Sequence, residues 1–391
     1  MDTKEQMLSM LLNGAVETLD ISPDLQRLAT RRYEDVGTWL AEHGQLGWRI
    51  YPQGSFRLGT VVRPNTRNSE YDIDLVSLLP IAKESITQAG LKQRVGDMLV
   101  AYVRSRNGQG HTDGPKSCRP RRRCWTLDYT DQGFHLDVLP AIPDVQYAPT
   151  GILLTDVELR EWQHSNPIGY ATWFRNRSEE LQFLLAEAAA KRHVNVADVP
   201  EWEVRSTLQR VVQVLKWHSM LHFANEPDIR PPSILITTLA GQAYAGEHDL
   251  YAATRNALNG MTEFIEKRDG KWWVSNPAHE DENFADKWND YPERRTAFIA
   301  WHRDITALLD ELLQLQGKGL DVVASRMYEG FGHDAVQRSV KRYQDHLRGH
   351  RESGVLRMGT TGLITTTTTT TTNGTRVRDH TFHGDYTDTR H

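Results

Sequence analysis

Asp72 and Asp74 stand two residues apart in an otherwise apolar run, Tyr71–Leu79. On a β-strand two such residues share one face, while Ile73 and Leu75 turn to the other, into a core. Like charges held side by side are costly unless something cancels them. A divalent cation does so, and Mg²⁺ favours carboxylates together with substrate phosphates. Seventeen residues before Asp72 lies a Gly-Ser turn, Gly54 and Ser55. Glycine lets a backbone approach phosphates closely, and serine adds a hydroxyl. Turn and acidic pair together read as a metal–nucleoside triphosphate site. Gln53, just before the turn, either touches the nucleotide or holds the loop.

Nucleotidyl transfer requires in-line attack of a hydroxyl on an α-phosphate with departure of pyrophosphate, a reaction suited to two metal ions about 4 Å apart. Two ions need a third carboxylate. Asp137, the lone acid of FHLDVLP, is that candidate, because a charge in an apolar β-prone run is expensive without a partner. Asp128 and Asp131 are less apt, sitting at a turn.

The elements that must position these residues follow from periodicity. Residues 3–45 read as helical, with Asp20 or Ser22 capping a second helix that Pro23 opens. Trp48–Tyr51 and Tyr71–Leu79 read as strands, and a helix starting at Phe56 would aim free N–H groups at the β- and γ-phosphates. Ser85–Arg104 reads as a helix and 105–119 as a Gly/Pro/basic loop. Cys124–Tyr129 and Phe134–Leu139 form a hairpin. From residue 156 the pattern turns helical, including 179–192, Val204–Phe223, Ser233–Gly246, Tyr251–Glu266, Tyr291–Leu315, Val322–Tyr328 and Ala335–Arg348. A run of eight threonines, 365–372, lies in a polar end that cannot bury a core.

The predicted architecture is α+β and bilobal: N-terminal helices over 1–45 packing on both lobes, a catalytic core with a small mixed sheet over 46–155, a helical lobe over 156–350, and a low-complexity tail over 351–391. The 391 residues carry a net charge of −5, with 39% apolar and 25% charged side chains, which excludes a general polyanion binder. No apolar run of about 18 residues predicts a membrane span, and the N-terminus lacks the features of a signal peptide. The two cysteines, Cys118 and Cys124, form no CxxC pair, which argues against a disulfide scaffold or zinc ribbon. A reducing cytoplasm is the simplest location.

GSFRLGT, DID and the later LDVLP resemble the DNA polymerase β–type nucleotidyltransferase superfamily. SNPIGYATWF (165–174), LKWHSMLHF (215–223), PPSILITTLA (231–240), NPAHEDENFADKW (276–288) and FGHDAVQRSVKRY (331–343) narrow the resemblance to the bacterial cyclic GMP-AMP synthase/DncV-like nucleotidyltransferases. These are second-messenger oligonucleotide synthases of the anti-phage systems called CBASS. The resemblance implies Asp72, Asp74 and Asp137 as ligands of two Mg²⁺ ions, with Mn²⁺ as a substitute. It implies Gly54 and Ser55 on the triphosphate, Lys216 as a helical-lobe phosphate contact, and Ser233 as the serine that follows it. Lys216 alternatively snorkels at the surface, and Ser233 alternatively caps its helix. NTP substrates, ATP among them, a nucleotide-responsive effector and a CBASS regulatory partner are the implied partners.

No DNA-binding zinc element is recognisable. Asn166 and Asn276 read as structural turns. Glu282, Asn283 and Asp286 read as a helix start with capping acids, and Trp272 and Trp273 as core. The basic run 119–123 reads as a solvated loop edge or, alternatively, a phosphate contact. Competing functions are a template-independent RNA or small-molecule nucleotidyltransferase and a catalytically inactive nucleotide-binding module.

Overall fold

The computed structural model describes residues 3–44, 47–63, 70–108, 113–157, 161–178, 204–315 and 317–353, with a few positions between 184 and 191 and three two-residue strands beyond 356. Apart from those few positions and Thr365, the predicted helix over 179–192 and the threonine run lie outside the described residues.

In chain order the elements are α1 (Thr3–Glu17), α2 (Pro23–His43), β1 (Arg49–Pro52), α3 (Gly54–Leu58), β2 (Tyr71–Leu78), α4 (Gln88–Gly108), β3 (Cys118–Pro120), β4 (Trp125–Tyr129), β5 (Phe134–Pro143), β6 (Ile152–Leu154) and β7 (Gln163–Ser165). There follow α5 (Pro167–Arg177), α6 (Thr207–His222), α7 (Ser233–Ala243), α8 (Leu250–Met261), β8 (Glu266–Arg268), β9 (Lys271–Trp273), β10 (Ser275–Asn276) and β11 (His279–Asn283). The last are α9 (Lys287–Asp290), α10 (Pro292–Gln314), α11 (Leu320–Phe331) and α12 (His333–Glu352).

Contacts divide the chain into two units, Leu19–Ala307 and the two terminal segments, Met1–Thr18 with Leu308–His391. In the terminal unit α1 packs on α12. Gly14 leaves the space that Ser339 fills, and the Ser339 hydroxyl donates to the Leu11 carbonyl at 2.6 Å. Arg342 pairs with Glu17.

The larger unit is built on a seven-stranded mixed sheet in the order β1-β2-β5-β4-β3, with β6 paired to β5 and β7 to β6. β2 and β5 run parallel; the other pairs are antiparallel. Strand alternation organises it. Ile73 and Leu75 are fully buried in the main core with Leu127, Leu136 and Val138, as their parity predicts. The opposite face of β2 carries the aspartates and then, past Asp74, turns apolar: Val76 and Leu78 pack with Ala141, Ile152 and Leu154 in a second cluster. On the main-core face, the Trp48 indole donates to the Ser77 hydroxyl at 2.7 Å.

Ser22 caps α2, its hydroxyl accepting from the Leu25 amide at 3.3 Å, with Pro23 at the first helical position. Among the described residues no helix is long and apolar enough to cross a membrane.

Four expectations are corrected. The helix after the Gly-Ser turn starts at Gly54 itself and lasts one turn, ended by Gly59 at φ +67°. The segment 105–119 is not all loop: α4 continues to Gly108 and β3 begins at Cys118. The part after 156 is not all helical. It holds β7 to β11, strands too short to carry a periodic signal. Glu282 and Asn283 accordingly lie in β11, and only Asp286 caps a helix, accepting from the Lys287 amide. Trp272 and Trp273 are half-buried rather than core. Lys267 and Arg295 face the Trp272 ring, 4.7 and 3.7 Å from its centroid, and Arg268 lies 5.1 Å from that of Trp273.

Candidate active site

Three carboxylates lie on one face at the N-terminal halves of β2 and β5. The parallel register sets Asp74 opposite Asp137 and Asp72 opposite His135. All four side chains share a face, since each lies an even number of residues from its neighbour on the strand. Asp72 is exposed, and Asp74 and Asp137 are half-buried. Burial, then the charges of Asp137 and Asp72, push the Asp74 carboxyl up to about 7, against the pull of His135 and Lys216. Like charges crowded in this way favour either a bound proton or a nearby cation.

His135 was missed from sequence, although its parity with Asp137 was readable. Its Nε2 pairs with Asp72, and its Nδ1 lies 3.2 Å from Glu70 Oε2. The bond to Asp72 raises the imidazole to about 9, so it is a cation at neutral pH and neutralises Asp72. Asp137 is held by the Thr126 hydroxyl, which donates to its Oδ1 at 2.5 Å from the adjacent strand.

The Gly-Ser turn lies directly over Asp74. Gly54 has φ +62°, and a Cβ there would sit 2.5 Å from Asp74 Oδ2. The Gln53 amide donates to the Asp74 carbonyl at 2.8 Å, and the Gln53 side chain makes no capping bond. Gln53 thus holds the loop through its backbone.

One stripe of α6 secures the rest of this loop. Gln209 Nε2 donates to the Leu58 carbonyl, Gln213 Nε2 to the Val61 carbonyl and Lys216 Nζ to the Thr60 carbonyl, each at 2.8 Å. Residues 209, 213 and 216 recur at i, i+4 and i+7, one face of a helix. Buried backbone carbonyls need partners, and an apolar helix carrying three long polar side chains supplies them. Burial lowers the Lys216 ammonium to about 8, offset in part by Asp74.

A cavity of about 460 Å³ opens beside the aspartates, and Ser55, Asp72, Lys216, Arg230 and Ser233 are among its walls. Ser233 is exposed at the first turn of α7. Pro232 occupies the N-cap, so Ser233 does not cap the helix and its hydroxyl stays available to the cavity. Arg230 is a second residue that sequence reasoning missed; nothing in its spacing marks it. Asp137 opens on a further cleft of about 440 Å³ with Arg121, Arg123, Thr126 and Lys287. The basic run is therefore not only a loop edge, although Arg122 and Arg123 are also tied to the buried Asp156, at 3.0 and 2.7 Å.

The Asn-Pro turns are structural, as expected. The Asn166 side chain caps α5, accepting from the Gly169 amide at 2.9 Å, and donates to the Ala278 carbonyl at 3.0 Å. Asn276 accepts from the Ala278 amide and donates to Glu282.

Residues 49–140 match the family described as "Cyclic GMP-AMP synthase DncV-like, nucleotidyltransferase domain". The chain is 28% identical over 360 residues to a protein of Roseivirga ehrenbergii named "c-di-GMP synthase", covering 90% of this chain and 91% of that one. It is 25% identical over 384 residues to "Cyclic dinucleotide synthase CdnG" of Bradyrhizobium diazoefficiens, covering 90% and 88%. The fold is shared with the structure of the Bradyrhizobium CD-NTase CdnG in complex with GTP, at a TM-score of 0.67 and 21% identity over 86% of this chain and 99% of that one.

Proposed function

Taking the chain as a nucleotidyltransferase whose residues 49–140 form a DncV-like catalytic domain, we propose that it condenses nucleoside triphosphates into a cyclic dinucleotide or trinucleotide second messenger. The observation that carries this reading is the juxtaposition of Asp74 with Asp137 across the parallel β2–β5 pair, with Gly54 seated against the Asp74 carboxylate. The relative named "c-di-GMP synthase" favours GTP as one substrate, alongside the ATP expected from the sequence resemblance.

In each transfer a ribose hydroxyl oxygen bonds to the α-phosphorus, the bond from that phosphorus to the β-phosphate oxygen breaks, and pyrophosphate leaves. A second, intramolecular transfer closes the ring. Asp72, Asp74 and Asp137 would hold two Mg²⁺ ions, which would supply charge neutralisation at the attacking and leaving oxygens. Asp137, oriented by Thr126, accepts the proton of the attacking hydroxyl. Ser55, Lys216, Arg230 and Ser233 receive the triphosphate in the cavity they line, while Gln53, Gln209 and Gln213 keep the Gly-Ser loop in place. Arg121, Arg123 and Lys287 offer positive charge on the Asp137 side, where the second nucleotide docks. The messenger serves anti-phage signalling of the CBASS type, under a regulatory partner and with a downstream effector.

The test is the purified chain with all four NTPs and Mg²⁺ or Mn²⁺, followed by phosphatase and mass spectrometry, with Asp74→Asn as control. A phosphatase-resistant cyclic species made only by the unmodified chain is expected, and it identifies the bases. Linear, phosphatase-sensitive oligomers instead of a ring would refute cyclisation.

A further inference from the structure

Away from the three aspartates, the described residues contain one group of metal-binding donors whose ligand atoms all lie within 4.8 Å of one another: Asp144, His164 and His279. Asp144 follows the end of β5, seven residues after Asp137. At about 3.3 Å per residue, that places it roughly 20 Å from the catalytic carboxylates. His164 lies in β7, and His279 opens β11, 115 residues later in the chain.

The cluster is built rather than incidental. Asp144 is 3% exposed and its Oδ1 accepts from the Gln146 amide at 3.1 Å, which aims Oδ2 at the two imidazoles. His164 Nδ1 lies 2.5 Å from Oδ2 and His279 Nε2 lies 3.6 Å from it. The His279 side chain is 0% exposed, yet neither ring nitrogen has a hydrogen-bond partner among the described residues. An unsatisfied buried imidazole is costly in a folded protein.

A tetrahedral ion with bonds of about 2.1 Å spaces its donors by about 3.4 Å, between the two distances seen here. Tyr147 closes one side, its ring stacked on His279 at 3.6 Å between centroids and its hydroxyl bonded to Asp281. On the other side Asp144 and His164 open on a cavity of about 520 Å³, which gives an ion a way in and leaves one coordination position to water.

We propose that Asp144, His164 and His279 bind one first-row transition-metal ion of the Zn²⁺ class, which clips the turn after β5 and the β6–β7 hairpin to the β10–β11 hairpin. Two imidazoles with one carboxylate select Zn²⁺ or Co²⁺ over Mg²⁺, so the ion is chemically distinct from the one that nucleotidyl transfer uses. Joining segments 115 residues apart in sequence, the ion removes chain entropy from the unfolded state and adds binding free energy to the folded one.

The experiment uses the full chain, stripped by chelator and desalted, in a His350→Ala background, because His346 and His350 face each other one turn apart on α12. Co²⁺ is titrated and followed by visible absorption, and Zn²⁺ by displacement of Co²⁺ and by thermal midpoint. The expected result is one equivalent of Co²⁺ with the intense band of a tetrahedral site, displaced by Zn²⁺ but not by millimolar Mg²⁺, and a higher thermal midpoint with Zn²⁺. Affinity falls at least 100-fold in His164→Ala and in His279→Gln. His164 is half-buried at the cavity edge, so its variant keeps the test valid if the buried His279→Gln fails to fold. Absence of the band in the natural cluster, or a band and affinity unchanged in His164→Ala, overturns the proposal.

Discussion

Gly54→Ala tests the active-site geometry with one added methyl group. At φ +62° an alanine pays the left-handed penalty of about 1–2 kcal/mol. Its Cβ would also lie 2.5 Å from Asp74 Oδ2, where ordinary contact begins at 3.4 Å. The loop has little freedom to retreat: the Gln53 amide bonds the Asp74 carbonyl, the Thr60 amide bonds the Ser55 carbonyl at 3.0 Å, and the α6 stripe holds the carbonyls of Leu58, Thr60 and Val61. Turn and carboxylate therefore separate by up to about 1 Å. A misplacement of that size costs about 100-fold in rate, about 2.7 kcal/mol of transition-state stabilisation. The control is Gly270→Ala in the β8–β9 turn, at φ +79° with nothing within 4 Å of its Cβ. It carries the backbone penalty alone. Initial rates of pyrophosphate release and urea unfolding are measured for both. Both variants should lose about 1–2 kcal/mol of stability, and only Gly54→Ala should lose the rate. A Gly54→Ala rate within threefold of the natural chain would refute the claim that this glycine sets the Asp74 position.

Asp74→Asn should lower turnover by roughly 10³-fold yet raise the thermal midpoint in metal-free buffer by about 2–4 °C, because it removes a like charge from beside Asp137; a lower midpoint would contradict the crowding. Lys216→Met should raise the KM for NTP about 10- to 100-fold with a smaller change in kcat, the loss of one charge-assisted phosphate contact; steady-state kinetics decides. Ser206→Ala should cost about 1–2 kcal/mol in urea with turnover unchanged, since Ser206 and Gln209 form a reciprocal capping box on α6. Glu282 is held up at about 7 by burial, above its ordinary 4.5. The penalty for its ionised form is absent below pH 4.5 and complete above pH 7, so stability should fall across that window and the fall should be shallower in Glu282→Gln, measured by unfolding at stepped pH.

Strand parity makes the acidic pair legible. Asp72 and Asp74 show their common face in the sequence, because a period of two depends on nothing beyond the strand itself. The register between β2 and β5 has no such local signature, since it depends on how two strands dock so that residues 63 apart face each other, as Asp74 and Asp137 do. Asp137 was therefore found by its isolation in an apolar run, while His135, which the same parity puts on the same face, passed unnoticed. The α6 stripe is intermediate. Gln209, Gln213 and Lys216 sit at readable helical spacing, but their partners are backbone carbonyls, and every residue type carries one.

Assembly across long connections hides a site more thoroughly. Asp144, His164 and His279 come from a turn and two short strands, and each alone is an ordinary polar residue beside a proline, a serine or an alanine. A search for closely spaced ligands passes over them, because their spacing is set by how the β6–β7 and β10–β11 hairpins meet. Asn166 is the residue that brings them together. It caps α5 with its side-chain oxygen and, with its nitrogen, holds the Ala278 carbonyl next to His279. Gly169 has no Cβ to intrude where one would lie 2.9 Å from that of Ala278. A residue read in the sequence as a plain turn former thus fixes the approach of two hairpins. Asn166→Asp keeps the cap and loses the amide donor, so it should loosen the β10–β11 hairpin while leaving α5 intact. Hydrogen exchange would then rise at 276–283 and stay unchanged at 169–177. Equal exchange in both segments would mean that the hairpins meet without this bond.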